Sequence, residues 1–430
     1  MSLADVNLGD HHRKVLWRAV LVSLAMLAVG VLTAVFPLLS GALPRERAHA
    51  EARGRGGWPG LRPCGGVRPA RGEHRRRGAP ELVVGATGIS GSALVDQLTA
   101  EGWDVLALSR RAGADRPGVR WISADLRSAD DLRRALAGEQ PTHVFFTAWS
   151  RQATEQENID VNGGMVRDLL AALDGAPVEH AALVTGLKHY LGPFEAYGQG
   201  NMPDTPFHEE EERLEAPNFY YAQEDELFAA AERQGFAWSV HRSHTVIGHA
   251  VGNQMNMGLT LAVYGSICRD LGLPFVFPGS ATQWDGLTDV TDATVLADQM
   301  IWASTTEAGR DEAFNVVNGD VFRWRWMWPR LAAYFGVEPV GFQDAPRPLE
   351  QQMAGHEDEW ARIAREAGLA ESDVNRIASW WHTDADLGRD IEVVTDISKS
   401  RLAGFHTHHR TLDSFLGLFE RYRAEGLIPR

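Results

Sequence analysis

The sequence predicts an α/β protein in which a doubly wound parallel sheet is followed by a smaller, mostly helical lobe. Two observations carry this. The apolar run Leu82–Val84 leads directly into Gly85-Ala-Thr-Gly88-Ile-Ser-Gly91 and then an amphipathic stretch from Ser92 to Ala100, which reads as strand, glycine turn and helix. Strand-like and helix-like patterns then alternate to about residue 185, which implies a parallel sheet with right-handed crossovers. At 430 residues, 44% apolar and 23% charged, the chain suits one large domain plus an appendage, and global disorder is excluded.

The appendage is amino-terminal. Residues 1–80 carry 13 Lys and Arg against 5 Asp and Glu, whereas the remaining 350 carry 29 against 52. Residues 19–39 form an uncharged run long enough to span the roughly 30 Å hydrocarbon core of a bilayer, with basic residues on both flanks. Residues 41–80 hold ten Arg, nine Gly and five Pro without any hydrophobic period, so they do not bury enough surface to offset ordering entropy. Three readings of the 1–80 extension stand: a membrane anchor with its linker, a cleaved export signal, or a segment upstream of the working protein. The working domain is expected to span 81–430 and to be cytoplasmic, on the cytosolic side of a membrane if 19–39 is a real anchor. The formal net charge of −15 argues against nucleic-acid binding. Two cysteines, Cys64 and Cys268, exclude a disulfide framework and a four-thiolate zinc site.

The strands follow in order. Asp104–Ser109 reads as the second, Val119–Leu126 as the third, Thr142–Ala148 as the fourth and His180–Thr185 as the fifth, with helical patterns at about 128–137 and 155–173. In such a fold Gly85, Gly88 and Gly91 let the backbone turn tightly and approach a pyrophosphate at the helix N-terminus. Enzymes that use NAD usually place an acid at the end of the second strand. Here stand Ser109, Arg110 and Arg111, and guanidinium suits the 2′-phosphate of NADPH. Asp125 and Leu126, ending the third strand, are expected to flank the adenine.

An ordinary short-chain dehydrogenase carries Tyr-x-x-x-Lys, and no tyrosine here has a lysine four residues on. Tyr220 is followed at that spacing by Glu224, and Tyr221 by Asp225. A lysine, Lys188, instead follows the fifth strand directly. The chain has only three lysines against 39 arginines, so a retained lysine invites a chemical explanation.

At these segments the sequence resembles the progesterone 5β-reductase/iridoid synthase family of atypical extended short-chain dehydrogenases, from about residue 82 to the C-terminus. The resemblance rests on GATGISG at 85–91, THVFFTAWS at 142–150, TEQEN at 154–158 and TGLKHYLGPFE at 185–195. It continues with PNFYYAQED at 217–225, WSVHR at 238–242, FNVVNGDVFRW at 314–324 and the pair Trp380-Trp381. It implies NADPH-dependent reduction of the C=C bond of an enone, with Tyr220 and Lys188 stabilising the enolate. Thr87, Ile89, Thr147, Thr185 and Val246 join the cofactor positions, and Trp149, Phe194, Thr245, Met255 and His382 the substrate positions. Two departures stand out: His382 replaces a phenylalanine after Trp-Trp, and Ser243-His244-Thr245 replaces Pro-Gly-Asn after WSVHR. Both put steroid or iridoid specificity in doubt. Carbonyl reduction, nucleotide-sugar epimerase or dehydratase chemistry, and a non-enzymatic NADP-binding sensor remain alternatives. The oligomeric state stays open, a homodimer included. The histidine groups 241/244/249 and 406/408/409 lack a recognised ligand spacing, so no metal is expected. The carboxylate run Glu209–Glu212 reads as a solvated face, and the tryptophans at 324, 326 and 328 as lobe packing.

Overall fold

A computed structural model describes residues 80–113, 116–193, 204–252 and 255–430. The apolar run 19–39, the basic segment after it to residue 79 and Phe194 lie outside the described residues. Seven strands form one wholly parallel sheet: β1 (Glu81–Val84), β2 (Val105–Ser109), β3 (Val119–Ser123), β4 (His143–Phe146), β5 (His180–Gly186), β6 (Ala237–Ser243) and β7 (Glu312–Val316). Their order across the sheet is β7-β6-β5-β4-β1-β2-β3. The chain runs outward from β1 to β3 and then returns to lay β4 on the other side of β1. Connections leaving β1 and β4 therefore diverge, and a crevice opens at their carboxyl ends.

The longer helices are α1 (Ile89–Ala100), α2 (Ala129–Ala135), α3 (Glu155–Ala172), α4 (Phe219–Gln234), α5 (Met257–Leu271), α6 (Ala293–Thr305), α7 (Trp324–Phe335), α8 (Glu357–Ala367), α9 (Trp380–Leu387) and α10 (Thr411–Ala424). The central strands are apolar on both faces because helices cover both. Leu82, Val84, Leu108, Val144 and Phe146 pack with Leu132 of α2, Leu169 of α3 and Leu227 of α4. Val83, Ala107 and Phe145 point the other way, toward Leu94 of α1 and Leu296 and Met300 of α6. Alternation along each strand thus feeds two separate cores.

A third core holds the lobe, where Tyr264, Phe275, Trp324, Trp328, Trp360 and Phe419 pack together. Trp324 and Trp328, one helical turn apart on α7, are buried. Trp326, on the opposite face, is half covered by the Arg330 guanidinium 3.9 Å from its ring centre. The tryptophan run is therefore mostly core. No helix among the described residues is long and apolar enough to cross a membrane.

Two expectations need correction. The third strand ends at Ser123 rather than Leu126. Asp125 closes a turn there: its Oδ1 accepts the Arg127 N–H at 3.0 Å, and its own N–H donates to Asp131 Oδ2 at 2.8 Å. A side chain that takes the backbone's bonds ends sheet pairing. The run Glu209–Glu212 is not uniformly solvated either. Glu209 Oε1 accepts the Asn315 N–H of β7 at 2.9 Å, and burial raises its pKa.

Candidate active site

The glycine turn has little room for side chains. Gly85 has φ +82, and a Cβ there would lie 3.0 Å from Thr147 Oγ1. A Cβ on Gly91 would stand 2.2 Å from the Gly85 carbonyl oxygen, so α1 approaches β1 as closely as only glycine permits. Gly88 is the N-cap of α1 and has no side chain to offer the first-turn amides, which leaves them to an anion. Ile89 is buried against Gly248, so its backbone faces the turn while its side chain holds the core. Thr87 is exposed, and Thr147 donates from Oγ1 to the Val84 carbonyl at 2.7 Å. These features fit a dinucleotide pyrophosphate.

At the carboxyl end of β2, Ser109 is buried, while Arg110 and Arg111 are exposed. Ser123 Oγ donates to the Arg110 carbonyl at 3.0 Å, fixing the turn to β3. Asp125 is held down at about 2, first by its hydrogen bonds from Arg127 and, more weakly, by the charge of Arg110. Leu126 is partly buried beside it. The carboxyl end of β2 thus presents two exposed cations beside the turn into β3.

β5 ends at Gly186, and Lys188 opens the helical turn Lys188–Leu191 two residues later. A Cβ on Gly186 would meet Tyr220 Oη at 3.2 Å, so the phenol of α4 rests on the end of β5. Lys188 is buried, with its Nζ 4.8 Å from the Phe219 ring centre and 5.9 Å from that of Trp149. Trp149 and Phe219 stack at 5.4 Å. The two candidate catalytic groups therefore share one aromatic-walled edge. Burial, with a smaller contribution from Glu155, pushes the Tyr220 phenol above the usual tyrosine pKa. It is a protonated donor at neutral pH.

Tyr221 has a different task. Its hydroxyl donates to the His189 carbonyl at 2.6 Å and accepts the Leu214 N–H at 3.0 Å. Lys399 is likewise structural, paired to Glu312 at 2.7 Å, so rarity alone did not mark a chemical lysine.

Three positioning side chains were not singled out from the sequence. Asn218 caps α4 by accepting the Tyr220 N–H at 3.0 Å, and its Nδ2 donates to the Lys188 carbonyl at 2.7 Å. One side chain ties both candidate residues together. Glu155 Oε1 accepts the Phe219 N–H at 2.8 Å. Asn162, fully buried on α3, exchanges two hydrogen bonds with the Ser150 backbone and so fixes the loop bearing Trp149. The signal for Asn218 was legible, since an asparagine directly before a helix is a favoured cap.

Thr185 is buried beside Ser243, whose Oγ donates to the Thr185 carbonyl at 2.9 Å. Val246 lies in a short strand pair with Thr291. Met255 stands half-buried two residues before α5. Thr245 and His382 both approach one carboxylate, Asp386. The histidines part company: His241 faces Gln299, His244 faces Asp289 and His249 faces Glu425.

The chain is 36% identical over 363 residues to an (S)-8-oxocitronellyl enol synthase of Camptotheca acuminata, covering 81% of this chain and 93% of the relative. It is 36% identical over 362 residues to a 3-oxo-Delta(4,5)-steroid 5-beta-reductase of Arabidopsis thaliana, covering 81% and 92%. Among solved structures, the UDP-glucose 4-epimerase of Thermus thermophilus in complex with NAD superposes with a TM-score of 0.56 at 19% identity, over 80% of this chain and 99% of that one. That likeness concerns the fold, an extended Rossmann fold of the NAD(P)-binding type. The description "PRISE-like Rossmann-fold domain" matches residues 128–429, and the chain belongs to that family.

Proposed function

We propose that this protein is an NADPH-dependent reductase of the C=C bond of α,β-unsaturated carbonyl compounds. The observation that carries the reading is the Tyr220 phenol seated on Gly186 at the end of β5, with Lys188 two residues on. Two relatives are named for reduction of an oxo-steroid and for an enol synthase, which matches an oxyanion site. When bound, NADPH supplies the hydride that adds to the β-carbon of the enone. The carbonyl oxygen then carries the charge that Tyr220 Oη, as a neutral donor, and the Lys188 ammonium stabilise. The α-carbon takes its proton from solvent. Trp149 and Phe219 exclude water from this edge, and Asn218 and Asn162 hold its parts in register. Arg110 and Arg111 bind the 2′-phosphate, and Gly85, Gly88 and Gly91 the pyrophosphate.

NADPH oxidation measured against a panel of small enones, saturated ketones and UDP-sugars tests the reading. Enones are expected to be turned over. Turnover of saturated ketones alone would establish carbonyl reduction instead, and turnover of UDP-sugars the nucleotide-sugar chemistry.

We further propose that residues 81–430 suffice for this activity. Glu81 is buried in the first strand, and its carboxylate accepts the His143 N–H at 2.7 Å, so the sheet closes at that residue. A chain beginning near Ala79 is expected to stay soluble and active with an almost unchanged Tm. Aggregation or loss of activity on that truncation would show that the extension contributes to the fold.

A further inference from the structure

The fourth residue after Tyr220, where an ordinary short-chain dehydrogenase carries its lysine, is Glu224. On α4 it lies one turn beyond Tyr220, on the same side of the helix. Glu224 is buried, and its Oε2 accepts from Arg213 Nη2 at 2.8 Å. Arg213 Nη1 also donates to Asp225 Oδ1 at 2.7 Å. The two pairs differ in weight. The Asp225 side chain is 63% exposed and that of Glu224 only 2%. An ion pair with an exposed carboxylate contributes little, whereas leaving a buried carboxylate unpaired is costly. Glu224 is therefore the anchor of Arg213.

Arg213 belongs to a segment, 207–214, that packs on the turn bearing Lys188. That turn, Lys188–Leu191, is a single helical turn of four residues. A helix so short has no stability of its own, so its position is set by what packs on it. Leu187, Tyr190 and Leu191 cluster with Phe207, whose ring stacks on that of Tyr190 at 5.0 Å between centres. His189 Nε2 donates to the Glu211 carbonyl at 3.3 Å. The His189 ring meets Tyr190 edge-on at 4.8 Å and Tyr221 edge-on at 5.4 Å. The Arg213 guanidinium stands 4.9 Å from the centre of the same Tyr221 ring. The two residues that follow Lys188 are thus enclosed between α4 and this segment, and Arg213 fastens the segment to α4.

We propose that Arg213 and Glu224 are positioning residues for Lys188. Their ion pair clamps segment 207–214 onto His189 and Tyr190, and so holds the ammonium at the edge it shares with Tyr220. The chain uses the fourth place after Tyr220 to fix a lysine that arrives from another element. Both residues act through the turn rather than on the reacting atoms. Tyr221→Phe keeps the ring on which Arg213 and His189 pack, so it does not release the clamp. The role given to Lys188 rests on the enone-reduction reading, but the clamp is measurable without turnover.

The test applies two readouts to the full chain. Acetylation of Lys188 by dilute acetic anhydride is followed by mass spectrometry, well below the Tm of each variant and normalised to an added lysine peptide. It needs neither cofactor nor substrate. kcat with NADPH and a small enone is measured in the same variants, alone and combined with Lys188→Ala. Arg213→Met is expected to raise Lys188 labelling roughly tenfold or more by letting the turn open locally. It should lower kcat on the order of tenfold by misplacing the ammonium. Beside Lys188→Ala it should lower kcat no further, because the clamp then has no lysine to place. Arg213→Lys and Glu224→Gln should fall between wild type and Arg213→Met, and Asp225→Asn should match wild type. If Arg213→Met does not fold, Glu224→Gln decides by the same two readouts. Unchanged labelling, raised labelling with unchanged kcat, a kcat loss that persists in full beside Lys188→Ala, or an equal effect of Asp225→Asn overturns the proposal. Raised labelling in a chain whose wild type turns over no enone sustains the clamp and sinks the reaction instead.

Discussion

Replacing Tyr220 by phenylalanine, or Lys188 by alanine, is expected to lower kcat on the order of 10²-fold or more, because in the proposed reaction each change removes a stabiliser of the developing oxyanion. NADPH binding should hardly change, since neither residue lies on the glycine turn or the arginine rim. Burial keeps the Tyr220 phenol protonated, so its contribution is a hydrogen bond to charge that appears only along the reaction, and its loss falls on kcat. Tyr221→Phe is the internal control. It removes a hydroxyl bonded to the His189 carbonyl and the Leu214 N–H, which costs about 1–3 kcal/mol of stability and leaves kcat nearly unchanged. Stopped-flow rates and the Tm of the three variants separate these outcomes. A severe kcat defect in Tyr221→Phe beside a normal Tyr220→Phe would shift the assignment by one residue.

The double replacement of Arg110 and Arg111 by alanine is expected to raise the KM for NADPH far more than that for NADH. Each charge-assisted hydrogen bond to a 2′-phosphate contributes about 1.5–3 kcal/mol, roughly tenfold to a hundredfold in KM, and NADH has no phosphate there to lose. Both arginines are exposed at the end of β2, whereas neighbouring Arg127 is engaged with Asp125 at 2.8 Å. Kinetics with both cofactors, at one fixed ionic strength because exposed charges are screened by salt, measures the ratio. Equal losses for the two cofactors would remove these residues from 2′-phosphate recognition.

Much of this was legible along the chain. The strand-turn-helix of 81–100 is written in adjacent residues, and so is the fifth strand that delivers Lys188. The third strand was read three residues too long because Ile122, Ala124 and Leu126 continue its apolar alternation. The Asp125 side chain that ends it acts through a turn, which periodicity does not record. Tyr220 and Tyr221 are indistinguishable by composition. They separate only because one hydroxyl abuts Gly186 and the other is spent on loop backbone. Lys399 shows the converse, a rare residue whose partner, Glu312, makes it structural.

The sequence by itself determined the family, the parallel sheet and the glycine cradle. These depend on backbone conformation and alternation over a few neighbouring residues, where the chain's own stereochemistry decides. Tertiary structure alone decided which side chains complete the site. Asn218 reaches a carbonyl 30 residues away, and Thr245 finds Asp386 across 141. Such pairs form because the packed sheet and lobe bring their elements within 3 Å and desolvate them there, which makes an unpaired polar group costly and each partner specific.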